Sequence, residues 1–327
     1  MATFTSLPSE LIDKIAKLAT RANLILLLNV KNRRIYYICR PYLYRHVKIS
    51  TFSALVAFCD LVVANPDLGA RTKSFQHIGI LPSEARATCA TAIQSLRSLR
   101  YLKLARSVSI LGLFPPGATV FPLLRTLTSY FSEEIPAFLR AHPHIHELVV
   151  SSCPSASIPP IQLTSLELFS GAAALAGAVI PGSQVRRPTI YWGGNADEHQ
   201  CLAVLSGVEA LNNVVNSWHC LRPSEIATHL GPRLINLRFK NIESKGVTDG
   251  LQEFFVGLTD ALPRFERLKT LTVMQPSCRK FRCAQSYQSE WSLVEFWAIL
   301  CPTLEEVELM SRMRCKKESG HWSVVGV

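Results

Sequence analysis

The sequence predicts an α/β chain: a short N-terminal module of three helices, then an irregular solenoid of leucine-rich strand–helix units built on a parallel sheet. Three observations carry this. Apolar residues recur at helical spacing before residue 48, the pattern L-x-x-L-x-L recurs from residue 99 onward, and the excess positive charge sits in the first segment. At 48% hydrophobic and 18% charged residues over 327 positions, the chain has the apolar content for a sizeable core.

The first helix starts at Leu7-Pro8-Ser9-Glu10-Leu11. Proline costs no hydrogen bond in the first turn, and Glu10 suits the positive end of the helix dipole. Leu11, Ile12, Ile15, Leu18 and Ala19 follow at helical spacing. The stretch Leu24–Val30 is apolar nearly all round, and a third stretch from Arg33 is expected to stop at Pro41. About forty residues cannot hide this much apolar surface within themselves, so some of it must face the rest of the chain or another protein.

The net charge is +11. Residues 1–48 hold nine Lys and Arg against only Glu10 and Asp13, so +7 of the excess lies there. A partner of opposite charge is expected at that segment. The blocks Leu7-Pro8-x-Glu10-Leu11-x-x-x-Ile15, Leu27-Leu28-Asn29-Val30-x-Asn32-Arg33-Arg34 and Pro41-Tyr42-Leu43-Tyr44-Arg45-His46-Val47 together resemble an F-box, and the last block resembles fungal F-box proteins in particular. The resemblance covers about residues 4–48. It implies docking onto an acidic Skp-type adaptor, and through it a cullin, in a cullin–RING ubiquitin ligase. Under it, Leu7, Pro8, Leu11, Ile15, Leu27, Leu28 and Val30 form or support the adaptor-binding surface, with Lys14, Lys31, Arg33 and Arg34 as its basic rim. An ordinary helical cap on a larger domain is the alternative for the same residues.

The division expected is residues 1–48 for the F-box-like module, 49–70 for a linker helix and 71–327 for the solenoid. In the last part, L-x-x-L-x-L or a conservative variant starts at Leu99, Leu124, Ile145, Leu163, Leu234, Leu268 and Leu304, more weakly at Val185 and Leu211, with a degenerate unit near Thr72–His77. The mean interval, about 26, falls within the period of leucine-rich repeats. Helical stretches separate the units at Ser83–Leu96, Ala196–Ser206, Pro223–Leu230, Val247–Leu262 and Ser289–Leu300. Only Cys153 supplies the Asn or Cys that such repeats place at the ninth position, so the solenoid is expected to be irregular. A non-repeating α/β domain with Leu-rich strands is the competing reading.

The remaining composition narrows the chemistry. The longest clean apolar run is Ala172–Ile180, short of the ~20 residues that span a bilayer, and the N-terminus lacks a signal-peptide pattern. A cytoplasmic or nuclear location follows as the expectation, with no membrane partner. Ten scattered cysteines form no C-x-x-C and read as reduced core residues. No phosphate-binding, dinucleotide, zinc-protease or nucleophile-elbow motif occurs, so neither enzyme activity nor cofactor is expected. His142-Pro-His144-Ile-His146 reads as a solvated loop rather than a zinc site. His199-Gln-Cys201 and Cys278-x4-Cys283 lack the partners that catalysis or metal binding requires. The basic tail Arg312–Lys317 reads as a frayed terminus.

With alternate strand side chains facing out, the open sheet face collects Arg100, Tyr101, Lys103, Arg125, Tyr130, Glu167, Phe169, Arg186, Arg187 and Tyr191, then Arg238, Lys240 and the acidic Glu305, Glu306 and Glu308. Of these, Arg100, Tyr101, Arg125, Tyr130, Phe169, Arg186, Arg187 and Tyr191 are the candidate binding residues for a protein target with an acidic or phosphorylated segment, because Arg beside aromatic rings is typical of interface hot spots. A nucleic-acid partner is not expected, since the 279 residues after position 48 carry only +4. A leucine-rich-repeat interaction scaffold with no ubiquitin-ligase role is the alternative to a non-catalytic substrate receptor.

Overall fold

The computed structural model describes residues 6–78, 86–105, 121–151, 158–186, 188–192, 202, 205, 213–217, 222–240, 248–274, 284–310 and 313–326. The chain is α/β, and it forms two compact units, residues 1–147 and 148–327.

The first unit opens with α1 (Ser9–Leu18), α2 (Arg21–Leu28) and α3 (Arg33–Leu43). Pro8 accepts from the amides of Leu11 and Ile12 and so starts α1. Thr20 caps α2 by accepting from Asn23 N at 3.3 Å, and Asn32 caps α3 by accepting from Ile35 N at 3.2 Å. Each cap satisfies an amide that has no partner within its own helix. Ile12, Ala16, Leu24, Ile35 and Cys39 form a small buried core, with Leu7, Leu27, Leu28, Ile38, Tyr42 and Leu43 packed around it. The third helix does not stop at Pro41 but runs through it to Leu43. So near the C-terminal end, proline removes one hydrogen bond, and few further turns depend on it.

Strand β1 (His46–Ile49) follows at once, then α4 (Phe52–Ala64), α5 (Pro66–Arg71), β2 (Ser74–Ile78), α6 (Arg86–Gln94), β3 (Tyr101–Ala105), β4 (Thr126–Tyr130) and α7 (Ile135–Ala141). Strands β1 to β4 are parallel neighbours in chain order, in the register Val47↔Phe75↔Leu102↔Leu127. The degenerate unit near Thr72 is therefore a full member: Thr72, Phe75 and His77 are all buried, like Leu99, Leu102 and Leu104. A unit also precedes it, because Val47 and Ile49 take the same inward places in β1. The segment that ends the three-helix block thus supplies the first strand of the sheet. Cys59 on α4 and Cys89 on α6 meet behind these strands with their Sγ atoms 3.4 Å apart. The described cysteines, Cys39, Cys59, Cys89, Cys301 and Cys315, are free thiols and buried.

In the second unit β5 (Glu147–Ser151), β6 (Leu168–Ala172), α8 (Ala173–Val179), β7 (Thr189–Trp192), β8 (Asn213–Ser217), α9 (Pro223–Leu230), β9 (Asn236–Lys240), α10 (Thr248–Ala261), β10 (Thr270–Val273), α11 (Ala284–Leu300) and β11 (Glu306–Glu308) succeed one another. Strands β6 to β11 are parallel, with Ile190↔Val214↔Leu237↔Leu271↔Val307 in one row. The alternation of parallel strands with helices is the architecture expected from the leucine pattern.

Three local expectations are corrected here. The unit placed at Leu163 starts three residues later, at Leu166: Phe169 is 0% exposed, whereas Leu168 is 45% exposed. Gly171, the next inward residue, has no room for a side chain, since a Cβ there would lie 2.8 Å from the Phe169 ring. The unit placed at Val185 likewise shifts, because Ile190 and Trp192 are the buried pair of β7. The tail is not frayed. Residues 314–318 and 321–326 form β12 and β13, a hairpin that pairs antiparallel with β11 and ends the parallel run. Its turn, Ser319-Gly320, has φ of 51° and 87°, the left-handed pair that a two-residue hairpin with right-handed twist requires. Among the described residues, no helix is long and apolar enough to cross a membrane.

Candidate functional site

The first candidate surface is the outside of the three-helix block. After α3 has packed on α1 and α2, eight large apolar or aromatic side chains of the block remain exposed: Leu11, Ile15, Leu18, Ile25, Leu26, Val30, Tyr36 and Tyr37, with Leu18 at 86%, Tyr37 at 69% and Leu26 at 66%. Of the residues assigned from sequence, Leu11, Ile15, Val30 and Pro8 are on this exterior, while Leu7, Leu27 and Leu28 are half-buried against its core. Leu18, Ile25, Leu26, Tyr36 and Tyr37 were not assigned. The signal for the α2 residues was present, because a helix apolar all round in a unit this small must leave part of its circumference uncovered.

The basic residues divide by task. Lys14, Lys31 and Arg33 are exposed. Arg34 instead ties the block together: its Nε donates to Ser9 Oγ at 3.0 Å and its Nη2 donates to the Leu7 carbonyl at 2.7 Å. It holds the start of α1 against α3. The hydroxyl of Tyr42 donates to Asp13 Oδ1 at 2.7 Å across the same two helices. Burial first, and then that bond, raises the phenol pKa. Lys31 sits between α2 and α3 at φ 53°, a left-handed conformation in which a side chain is strained.

The second candidate surface is the outward face of the strands. In the first unit, register places His46, Ser74, Tyr101 and Thr126 in one row and Lys48, Gln76, Lys103 and Thr128 in the next. Tyr101 and Lys103 are half-buried, Tyr130 at the end of β4 is 39% exposed, and Arg100 and Arg125 are exposed just before β3 and β4. In the second unit, Arg186 and Tyr191 are exposed, and Ser170 Oγ donates to the Tyr191 hydroxyl at 3.3 Å. Phe169 leaves the set because it fills the core. Arg187 lies outside the described residues, as do His199, Cys201, Cys278 and Cys283.

The histidine triplet also changes meaning. His142 is 3% exposed, not solvated. The Phe121 amide donates to its Nε2 at 3.2 Å, so Nδ1 carries the proton and donates to the Phe138 carbonyl at 2.8 Å. The ring stacks on Phe138 with centroids 4.1 Å apart. Burial lowers its pKa, which keeps it neutral and in that tautomer. Both ring nitrogens are committed to the backbone, while His144 faces solvent, so the three imidazoles do not converge. Among the described residues, no group of three or more His, Cys, Asp or Glu side chains is placed to hold a metal ion.

The arrangement offers two candidate binding surfaces. The chain matches no protein-family model and no curated protein.

Proposed function

We propose that the chain is the substrate-recognition subunit of a cullin–RING ubiquitin ligase, with an F-box-like N-terminal module and a leucine-rich-repeat target-binding sheet. The observation that carries the reading is the uncovered apolar exterior of the three-helix block, Leu11, Ile15, Leu18, Ile25, Leu26 and Val30, beside the exposed cations Lys14, Lys31 and Arg33. An apolar patch of this kind on a block with nine Lys and Arg in residues 1–48 against Glu10 and Asp13 suits a partner with an apolar groove and acidic margins, which is the chemistry expected of a Skp-type adaptor. The parallel strands behind it give a rigid platform for a target. On this reading the chain performs no chemistry. It raises the local concentration of the target beside the ligase.

The test is co-purification with a Skp-type adaptor. Leu11→Glu with Ile15→Glu changes two solvent-facing positions and leaves the Ile12–Ala16 core of α1 intact. Burying either carboxylate under an adaptor would cost several kcal/mol, so capture is expected to fall at least a hundredfold while the circular dichroism spectrum is unchanged. Undiminished capture, or no capture by the parent protein, overturns the adaptor assignment. In the second case a leucine-rich-repeat scaffold without ligase role is the reading left.

A further inference from the structure

The first unit carries eighteen Lys and Arg against eight Asp and Glu, a balance of +10 in residues 1–147, so the second unit holds only +1 of the chain's +11. Part of that excess forms a row. The amide of Lys73 donates to the Arg45 carbonyl at 2.9 Å, that of Arg100 to the Lys73 carbonyl at 2.8 Å, and that of Arg125 to the Arg100 carbonyl at 2.9 Å. Four residues 25 to 28 positions apart in sequence become lateral neighbours just ahead of β1, β2, β3 and β4. At a strand spacing of ~4.8 Å the row spans about 14 Å.

The row is crowded with like charge. Arg45 is the largest of the influences that push the Lys73 ammonium pKa down, with burial, Arg100 and Lys17 behind it. The Arg45 Nε is buried with no hydrogen-bond partner among the described residues. The second unit resolves the same situation differently. At the corresponding places ahead of β10 and β11 stand Lys269 and Glu305, joined by the same backbone step (Glu305 N to Lys269 O, 2.8 Å), and their side chains pair at 2.6 Å. The same unit also pairs Arg314 with Glu306 at 2.7 Å and Lys316 with Glu318 at 3.3 Å. In the first unit the row has the cations of that motif without the carboxylate.

We infer that the row Arg45, Lys73, Arg100 and Arg125 is the docking site of an acidic peptide segment of a partner protein, whose Asp and Glu side chains take the place that Glu305 takes beside Lys269. About 14 Å is the reach of four to five extended residues at ~3.4 Å each, so a run of that many acidic residues matches the row. The Glu305–Lys269 pair is the precedent within this chain for a carboxylate partner at this place in the sheet, and the oligonucleotide comparator below separates a peptide from a nucleic acid. The site deepens the target-capture half of the proposed function, and its structural basis does not involve the adaptor surface.

The experiment uses the full chain and a fluorescein-labelled Gly-Ser peptide carrying six consecutive Glu, with the six-Gln peptide and a six-nucleotide single strand as comparators. Fluorescence anisotropy at low salt is expected to show saturable binding of the Glu peptide only, weakening as salt rises. Arg100→Glu with Arg125→Glu is expected to weaken it at least tenfold, and the milder Arg100→Gln with Arg125→Gln serves if the reversal perturbs folding. Equal binding by both variants, absence of binding to the Glu peptide, or tighter binding of the oligonucleotide overturns the inference. Adaptor capture is measured on the same variants. Peptide binding without adaptor capture sinks the ligase reading and leaves this site standing, and capture without peptide binding does the reverse.

Discussion

His77→Leu should stabilise the protein, and more so in acid. His77 is an inward residue of β2, 0% exposed, with Ile49 and Leu104 in register on the neighbouring strands. Neither ring nitrogen has a hydrogen-bond partner among the described residues. Each buried polar group left unmade costs about 1–3 kcal/mol, whereas leucine brings no such group into the same aliphatic row. At pH 7.5 the variant is expected to gain about 1–3 kcal/mol. Acid adds to this. Burial lowers the pKa of His77 in the fold, so between the unfolded value near 6.5 and the lower folded value only the unfolded chain takes up a proton. That proton uptake costs the parent up to about 1.4 kcal/mol per pH unit as the pH falls through this window. The difference between variant and parent should therefore widen from pH 7.5 to pH 5.5. His142 titrates in the same direction but is present in both proteins and cancels. Urea denaturation of both proteins at the two pH values measures it. A variant no more stable than the parent at pH 7.5, or a difference that does not grow in acid, would refute the reasoning.

Two further outcomes follow from local geometry. His142→Ala leaves the Phe121 amide without its acceptor and removes the ring stacked on Phe138; a loss of about 2–4 kcal/mol is expected, read as a lower denaturation midpoint. Lys31→Gly relieves the left-handed residue between α2 and α3. The relief of about 1–2 kcal/mol exceeds the flexibility that glycine adds to the unfolded chain, so thermal unfolding should shift upward slightly with adaptor capture unchanged.

The strands were legible wherever one apolar residue alternated cleanly with polar ones. Leu102, Leu127, Leu237 and Leu271 are inward in the structure, as the pattern requires. The pattern failed at residues 163–171, where Leu163, Leu166, Leu168 and Phe169 all compete. A period of two cannot choose between adjacent apolar residues, and the choice of Phe169 over Leu168 is made by packing beside Gly171. The hairpin at Ser319-Gly320 had a turn signal, but Lys316-Lys317 read as a solvated tail: Lys316 takes an outward place, while Lys317 lies on the Cys315 side and its Nζ donates to the Pro302 carbonyl at 3.4 Å.

The amino-acid order by itself determined the class of the chain: a helical N-terminal block, leucines at strand spacing with helices between them, and a positive charge concentrated near the start. These are local properties, because amphipathic period, proline placement and charge count need no knowledge of distant neighbours. Tertiary structure decided which side chains of α1 to α3 stay uncovered, that Arg34 is spent on Leu7 and Ser9, and that His142 faces the core. It alone brought Arg45, Lys73, Arg100 and Arg125 into one row. The repeat had already set Arg100 and Arg125 at the same place in successive units, but only the strand register and the backbone bonds between strands add Arg45 and Lys73 and fix all four as neighbours.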